Sequence, residues 1–382
     1  MTAPQDQQQQ PSYEPLSTPT STSLPHGNEH IALIGVGAIG ISFLALHLTY
    51  TAARVSVFDP RPDLQEHVAA MLPLYLPSSS DSPSHALSSS SSSSSVTQLA
   101  ASGRLRFCST LRDAVQHATI VQEQGPENVL FKQRTWSEVL RHVSPHTHLW
   151  SSTSGIPASQ QLAHLTATPG SSNSSSSDVD APLSEETIAS ARARLLIVHP
   201  FNPPHLMPLL EVVPATDTTS ADETAFAQAY FRALGSIHRP ITVQRETAGF
   251  VANRLSFILF REACHLVATG VCSARDLDEI VRASLGPRWA VAGPFHMYNF
   301  GGGPRGMRGF LDNIGEAIDA VWKDAGELSM DDNTPGGWKD VVVEQTAAAY
   351  GAPTPEDIRK RDRGLRVVVK VQDELEKENE KD

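Results

Sequence analysis

Apolar and polar positions follow two regimes along this chain. Up to Thr242, short apolar runs of strand length recur between helical stretches, whereas beyond it only helical amphipathic patterns remain. The first run, Ile31-Ala32-Leu33-Ile34 after His30, is apolar throughout and predicts a strand buried on both faces. Residues 38–52 are apolar on nearly every face of a helix, as suits a helix packed on a sheet. Val55-Ser56-Val57-Phe58 predicts a second strand ending at Asp59. Strand, glycine turn, helix and strand together make a βαβ unit of the usual ~30 residues. Further strands are predicted at 105–108, 119–122, 149–151 and 195–198, with helical stretches between them, notably 127–141. This alternation predicts an α/β fold of Rossmann type, a mostly parallel sheet with helices on both faces. Helices at 249–268, 273–284, 307–323 and 355–377 then predict a smaller all-α domain.

The expected organisation is a disordered tail over 1–29, a dinucleotide-binding domain over 30–244 and a helical domain over 245–380. Serine-rich stretches near 78–95 and 171–177 cannot bury apolar surface and read as loop insertions. The tail carries no Lys or Arg and no apolar core, so it is neither a mitochondrial presequence nor a secretory signal. With no run of membrane-spanning length, a cytoplasmic protein is expected. A net charge of −12 argues against a nucleic-acid partner. The three cysteines, Cys108, Cys264 and Cys272, form no C-x-x-C pair and read as reduced thiols.

Candidate chemistry begins at Gly35-Val36-Gly37-Ala38-Ile39-Gly40, which follows a predicted strand and opens a predicted helix. Gly35 permits the tight turn, Gly37 lets the backbone approach a pyrophosphate, and Gly40 lets helix and strand pack closely. Ala38 and Ile39 lie where free N–H groups of the helix N-terminus face the phosphates. Asp59 falls 19 residues after Gly40, where a carboxylate binds the adenosine ribose and repels a 2′-phosphate, so the expected cofactor is NAD. Arg61 lies close enough to soften that preference.

Of fifteen histidines, His199 ends the apolar run Leu195-Leu196-Ile197-Val198, so its ring should emerge at the carboxyl edge of the sheet. Glu211 is a single carboxylate within Leu209-Leu210-Glu211-Val212-Val213, and a buried Glu needs a partner such as an imidazole. A base held by a carboxylate is what oxidation of a hydroxyl requires. His199 and His205 have no third ligand at a recognisable spacing, so no metal centre is expected.

The segments His199-Pro200-Phe201-Asn202-Pro203-Pro204 and 246–254, Glu-Thr-Ala-Gly-Phe-Val-Ala-Asn-Arg, with Glu211 between them, resemble the 3-hydroxyacyl-CoA dehydrogenase family. The likeness spans roughly 30–295 and is closest to the L-gulonate 3-dehydrogenase (lambda-crystallin) branch. It implies a helical second domain of the 6-phosphogluconate dehydrogenase C-terminal kind. It further implies that His199 is the general base, that Glu211 orients it, and that Asn253 and Ser154 contact the substrate. Asn202, Glu127 and Lys132 match cofactor-side positions. Arg288, in Leu285-Gly286-Pro287-Arg288-Trp289-Ala290, is similar to gulonate and carnitine dehydrogenases and offers a fork for a free carboxylate. The expected reaction is therefore NAD-dependent oxidation of the β-hydroxyl of a small, L-gulonate-like 3-hydroxy acid. A 3-hydroxyacyl-CoA thioester, carnitine, or a catalytically silent dinucleotide-binding protein are the alternatives. The one-sided apolar faces of the second domain suggest a homodimer. A glycine-rich loop at 296–303 departs from the family pattern.

Overall fold

The computed structural model describes residues 25–76, 96–165 and 183–379, so both serine-rich stretches and most of the tail lie outside the described residues. Eight strands form one sheet: β1 (His30–Ile34), β2 (Arg54–Phe58), β3 (Leu105–Phe107), β4 (Ile120–Glu123), β5 (His148–Ser151), β6 (Leu195–Pro200), β7 (Leu209–Pro214) and β8 (Arg239–Thr242). Their order is β3-β2-β1-β4-β5-β6-β7-β8. Every neighbouring pair is parallel except β6 with β7, which is antiparallel. The sheet reverses its strand order between β1 and β4, which opens the crevice where such folds take a dinucleotide.

Helices α1 (Ala38–Tyr50), α2 (Leu64–Tyr75), α3 (Val96–Ala101), α4 (Leu111–Val115), α5 (Val129–Val139), α6 (Ala158–Gln161), α7 (Glu185–Arg194) and α8 (Ala221–Ala233) connect the strands. One core packs Phe43 and Leu44 of α1 with Trp150, Leu196, Tyr230 and Phe231. The other packs Trp136 of α5 with Leu149, Ile188, Ile197, Val213 and Phe250. Successive strand residues therefore feed opposite layers, the consequence of a period of two in a sheet covered on both faces.

The second part is helical: α9 (Ala252–Ala268), α10 (Ala274–Ala283), α11 (Leu285–Val291), α12 (Pro294–Gly301), α13 (Gly306–Asp324), α14 (Trp338–Tyr350) and α15 (Pro355–Asn379). The stretch 296–303 is thus mostly helix and not the predicted loop. Pro294 starts α12, and a Cβ at Gly302 would come within 1.6 Å of the Gly306 carbonyl oxygen. Its glycines let backbone pass close to backbone as the chain turns into α13.

Order also begins earlier than His30. The His26 ring stacks on Tyr230 with centroids 4.0 Å apart, and Ala52 N donates to the Pro25 carbonyl at 2.8 Å. An aromatic neighbour and a backbone partner hold residues that composition alone assigned to the tail. β8, unpredicted, is an edge strand reading Arg-Pro-Ile-Thr, where a proline is tolerated and apolar alternation is absent.

Candidate active site

The phosphate loop has the backbone its glycines require. Gly35 adopts φ +91°, and a Cβ on Gly40 would lie 2.0 Å from the Gly35 carbonyl oxygen. Nothing lies within 4 Å of where a Cβ on Gly37 would stand, and no side chain caps α1. Gly37 and Ala38 are exposed, Ile39 is half-buried, and the first amides of α1 are left to bind an anion. Asp59 directly follows β2 and accepts from Val36 N at 2.9 Å and Arg61 N at 3.0 Å, which fixes its carboxylate beside the loop. The Arg61 side chain pairs with Asp63 at 3.3 Å. These groups fit a dinucleotide with a free 2′-hydroxyl.

His199 and Glu211 lie directly opposite each other in the antiparallel β6–β7 pair. Twelve residues of separation become one contact because the connection after Pro200 folds back as a hairpin. His199 Nδ1 is 2.7 Å from Glu211 Oε2, and both side chains are buried. The other carboxylate oxygen, Oε1, accepts from the amides of Val251 at 2.9 Å and Ala252 at 3.0 Å, at the start of α9. Burial pushes the Glu211 carboxyl up, but the hydrogen bonds from His199, Ala252 and Val251 together hold it below the ordinary carboxylate range. An ionised carboxylate only accepts, so Nδ1 carries the proton and Nε2 presents its lone pair.

A strained turn makes this possible. Gly249 has φ +71° and Phe250 φ +50°, the latter a left-handed conformation costly for an aromatic residue. The Phe250 ring is fully buried, 5.3 Å from that of His199 between centroids. The turn aims the Val251 and Ala252 amides at Glu211.

Asn253 follows on α9. Its Nδ2 donates to the Ser154 carbonyl at 3.0 Å and lies 3.5 Å from His199 Nε2. Ser154 is exposed on the turn after β5, and Glu127 shapes that turn. Glu127 Oε1 accepts from Thr153 Oγ1 at 2.5 Å and Gly155 N at 2.9 Å, and Oε2 from Ser154 N at 3.3 Å. Lys132 is wholly enclosed. Its Nζ donates to Glu123 Oε1 at 3.0 Å and Oε2 at 2.8 Å, and that carboxylate also accepts from Ser151 Oγ and Gly125 N. In this structure Glu127 and Lys132 therefore hold the backbone around the crevice. Sequence reading missed Glu123, Thr153 and Phe250. The available signal was a charged residue continuing a strand predicted to stop at Gln122.

Two expected residues stand apart from the cluster. Asn202 is exposed on the β6–β7 connection, and Arg288 is exposed on α11, its guanidinium without a hydrogen bond or ion pair among the described residues. No contact joins Arg288 to His199.

Comparison with known proteins gives the family. The pattern described as 3-hydroxyacyl-CoA dehydrogenase, NAD binding domain, matches residues 30–171 and 168–247, and that of the C-terminal domain matches 249–331. An L-carnitine dehydrogenase of Streptomyces coelicolor is 30% identical over 91% of this chain and 96% of its own. One from Pseudomonas aeruginosa is 31% identical over 86% and 89%. Among solved structures, a 5-formyl-3-hydroxy-2-methylpyridine 4-carboxylic acid 5-dehydrogenase, described as an NAD+-dependent dismutase, superposes with TM-score 0.65 at 25% identity, covering 91% of this chain and 98% of its own. The 3-hydroxyacyl-CoA dehydrogenase of Archaeoglobus fulgidus shares the fold, with TM-score 0.54 at 18% identity over 90% and 98%. The chain belongs to the 3-hydroxyacyl-CoA dehydrogenase family and is an NAD-dependent enzyme of the CH–OH dehydrogenase class.

Proposed function

We propose that this enzyme oxidises the β-hydroxyl of a small free 3-hydroxy acid of the carnitine type, with His199 as the base. The observation that carries the chemistry is the His199–Glu211 contact of 2.7 Å, with Nε2 left facing Asn253. The substrate hydroxyl gives its proton to Nε2 while its carbon gives up a hydride, leaving a carbonyl and an imidazolium. The nicotinamide ring, when bound, supplies the two-electron acceptor. Glu211 fixes the ring tautomer and balances the charge His199 gains. Asn253 Nδ2 and the Ser154 hydroxyl are the donors that steady the reacting oxygen, and Glu127 holds Ser154 in place through the 153–155 turn. Asp59 and the 35–40 loop bind the adenosine and pyrophosphate, and Asn202 is assigned to the nicotinamide side by the family resemblance alone.

A free carboxylate is favoured over a CoA thioester for two reasons. Arg288 offers an uncommitted guanidinium on α11, and the relatives at 30% identity or more are named for L-carnitine while the neighbour with TM-score 0.65 is named for a carboxylic acid. L-Gulonate is the second reading, carried by the Pro-Leu-Leu-Glu-Val-Val-Pro stretch at 208–214. A panel of L-carnitine, L-gulonate and 3-hydroxybutyryl-CoA with NAD and NADP tests the choice. NADH production from a free acid, weakened in KM by Arg288→Ala, supports it; turnover of the thioester alone overturns it.

We also propose that the working unit is a dimer. On α9 Leu255, Phe257, Ile258 and Phe260 are each more than half exposed, a patch that a second copy would cover. Light scattering on the purified protein reads the mass directly, and a monomer at micromolar concentration refutes this point.

A further inference from the structure

Gln122 and Glu123 end β4 and point to opposite faces of the sheet. Glu123 serves the layer of Lys132; Gln122 enters the layer of α1, fully buried, and this second network has no part in the chemistry above. Its Oε1 lies 2.9 Å from His47 Nε2, and its Nε2 donates to Ser152 Oγ at 3.1 Å. Tyr230 Oη lies 3.0 Å from His47 Nδ1. Burial holds the His47 imidazole neutral, its pKa lowered to about 4, and pushes the Tyr230 phenol well up, so each is a single-proton donor. The polarity then runs one way: Tyr230 O–H to His47, His47 N–H to Gln122, Gln122 N–H to Ser152.

At the end of this relay the Ser152 hydroxyl accepts from Gln122 behind it, and its own proton has no partner among the described residues. Only 7% of Ser152 is exposed, so bulk water is a poor substitute. Ser152 lies just beyond β5, on the β4–β5 side of the strand reversal, while the adenosine side is marked by Asp59 at the end of β2. The dinucleotide crosses that reversal, which puts its nicotinamide half on the side of Ser152. Within the relay, His47 belongs to α1, the helix whose N-terminus adjoins the phosphate loop.

We propose that Ser152 donates its hydroxyl proton to an oxygen of the nicotinamide half of NAD, and that Gln122 is the positioning residue that keeps Ser152 a donor. Gln122→Glu separates this from a packing role. A carboxylate still accepts from His47 but has no proton to give, so it draws the Ser152 hydrogen inward and reverses the last link.

The test is binding, measured by NADH fluorescence and calorimetry on the full-length protein without substrate, so it is independent of the substrate reading. Ser152→Ala and Gln122→Glu should each weaken NADH about 3- to 10-fold, the worth of one hydrogen bond, and the double variant no further. ADP, which lacks the nicotinamide half, should bind all three variants as it binds the parent. Loss for ADP-ribose assigns the acceptor to the second ribose, and no loss to the carboxamide. The proposal is overturned by NADH affinity unchanged in Ser152→Ala, by unchanged affinity in a folded Gln122→Glu, or by equal weakening of ADP. If Gln122→Glu does not fold, Ser152→Ala decides by the same contrast between NADH and ADP.

Discussion

Replacing Glu211 by glutamine isolates the role of the carboxylate. Glu211 accepts three hydrogen bonds, from His199 Nδ1 on one oxygen and from Val251 and Ala252 on the other. An amide has one accepting oxygen and one donating nitrogen. With the oxygen on the two backbone amides, its N–H2 meets Nδ1 and forces the histidine proton onto Nε2, the atom that must act as base. Turned round, it sets donor against two buried amides, each costing about 1–3 kcal/mol when left unpaired. The turned arrangement would leave Nε2 free but is disfavoured by those two unpaired amides, so the first prevails and kcat should fall roughly 10²- to 10⁴-fold, as expected when a general base is held in the wrong tautomer. NADH affinity should change by less than about threefold, because no cofactor-binding group has moved. Steady-state NADH formation at saturating NAD, paired with NADH fluorescence titration, reads both quantities. A Glu211→Gln enzyme with undiminished kcat would refute the reasoning, as would one whose defect lay wholly in cofactor binding.

Other expectations follow from the same geometry. Removing Asp59 as Asp59→Ala takes away the charge that opposes a 2′-phosphate, so kcat/KM for NADP relative to NAD should rise about tenfold or more, as initial rates with each cofactor will show. Lys132→Met leaves the buried Glu123 carboxylate without its cation and should cost about 3–5 kcal/mol in urea unfolding, whereas an unchanged midpoint would place the pair outside the stability of the fold. Acid stability has a stated sign. Burial lowers the pKa of His47 and His238 to about 4 from an ordinary 6.5, so the unfolded chain takes up these protons first. Their contribution is present above pH 6.5 and is lost as pH falls towards 4, by about 2 kcal/mol each between pH 7 and pH 5. Urea unfolding at those two pH values measures it, and His47→Gln should flatten the slope. Glu211 adds a loss of the same sign at lower pH, as its depressed carboxyl finally protonates.

Much of the fold was legible because its signals are local. Apolar runs at 31–34 and 195–198 and the glycine spacing of 35–40 each reflect a constraint within a few residues. The His199–Glu211 pairing was inferable as a need, since a lone glutamate in an apolar run demands a partner, but the cross-strand register that satisfies it is tertiary. Phe250 shows the opposite case. Nothing in its neighbourhood of sequence announces a left-handed aromatic residue; the conformation is imposed by the buried ring and by Glu211 capturing the next two amides. Lys132 was matched to a cofactor-side position through the family resemblance, and only its neighbours across the layer make it a buried cation. β8 went unpredicted and the 296–303 segment was misread because proline and glycine there serve edge tolerance and close approach, not looping.

The claim at the centre of this account is that His199 takes the substrate proton at a preformed NAD site. Rapid mixing of the NAD-saturated enzyme with its best free 3-hydroxy acid measures the hydride-transfer step itself. In His199→Gln the first turnover of NADH should slow by roughly 10²- to 10⁴-fold while NADH affinity stays near that of the parent. A His199→Gln enzyme that forms NADH in its first turnover as fast as the parent would contradict the account.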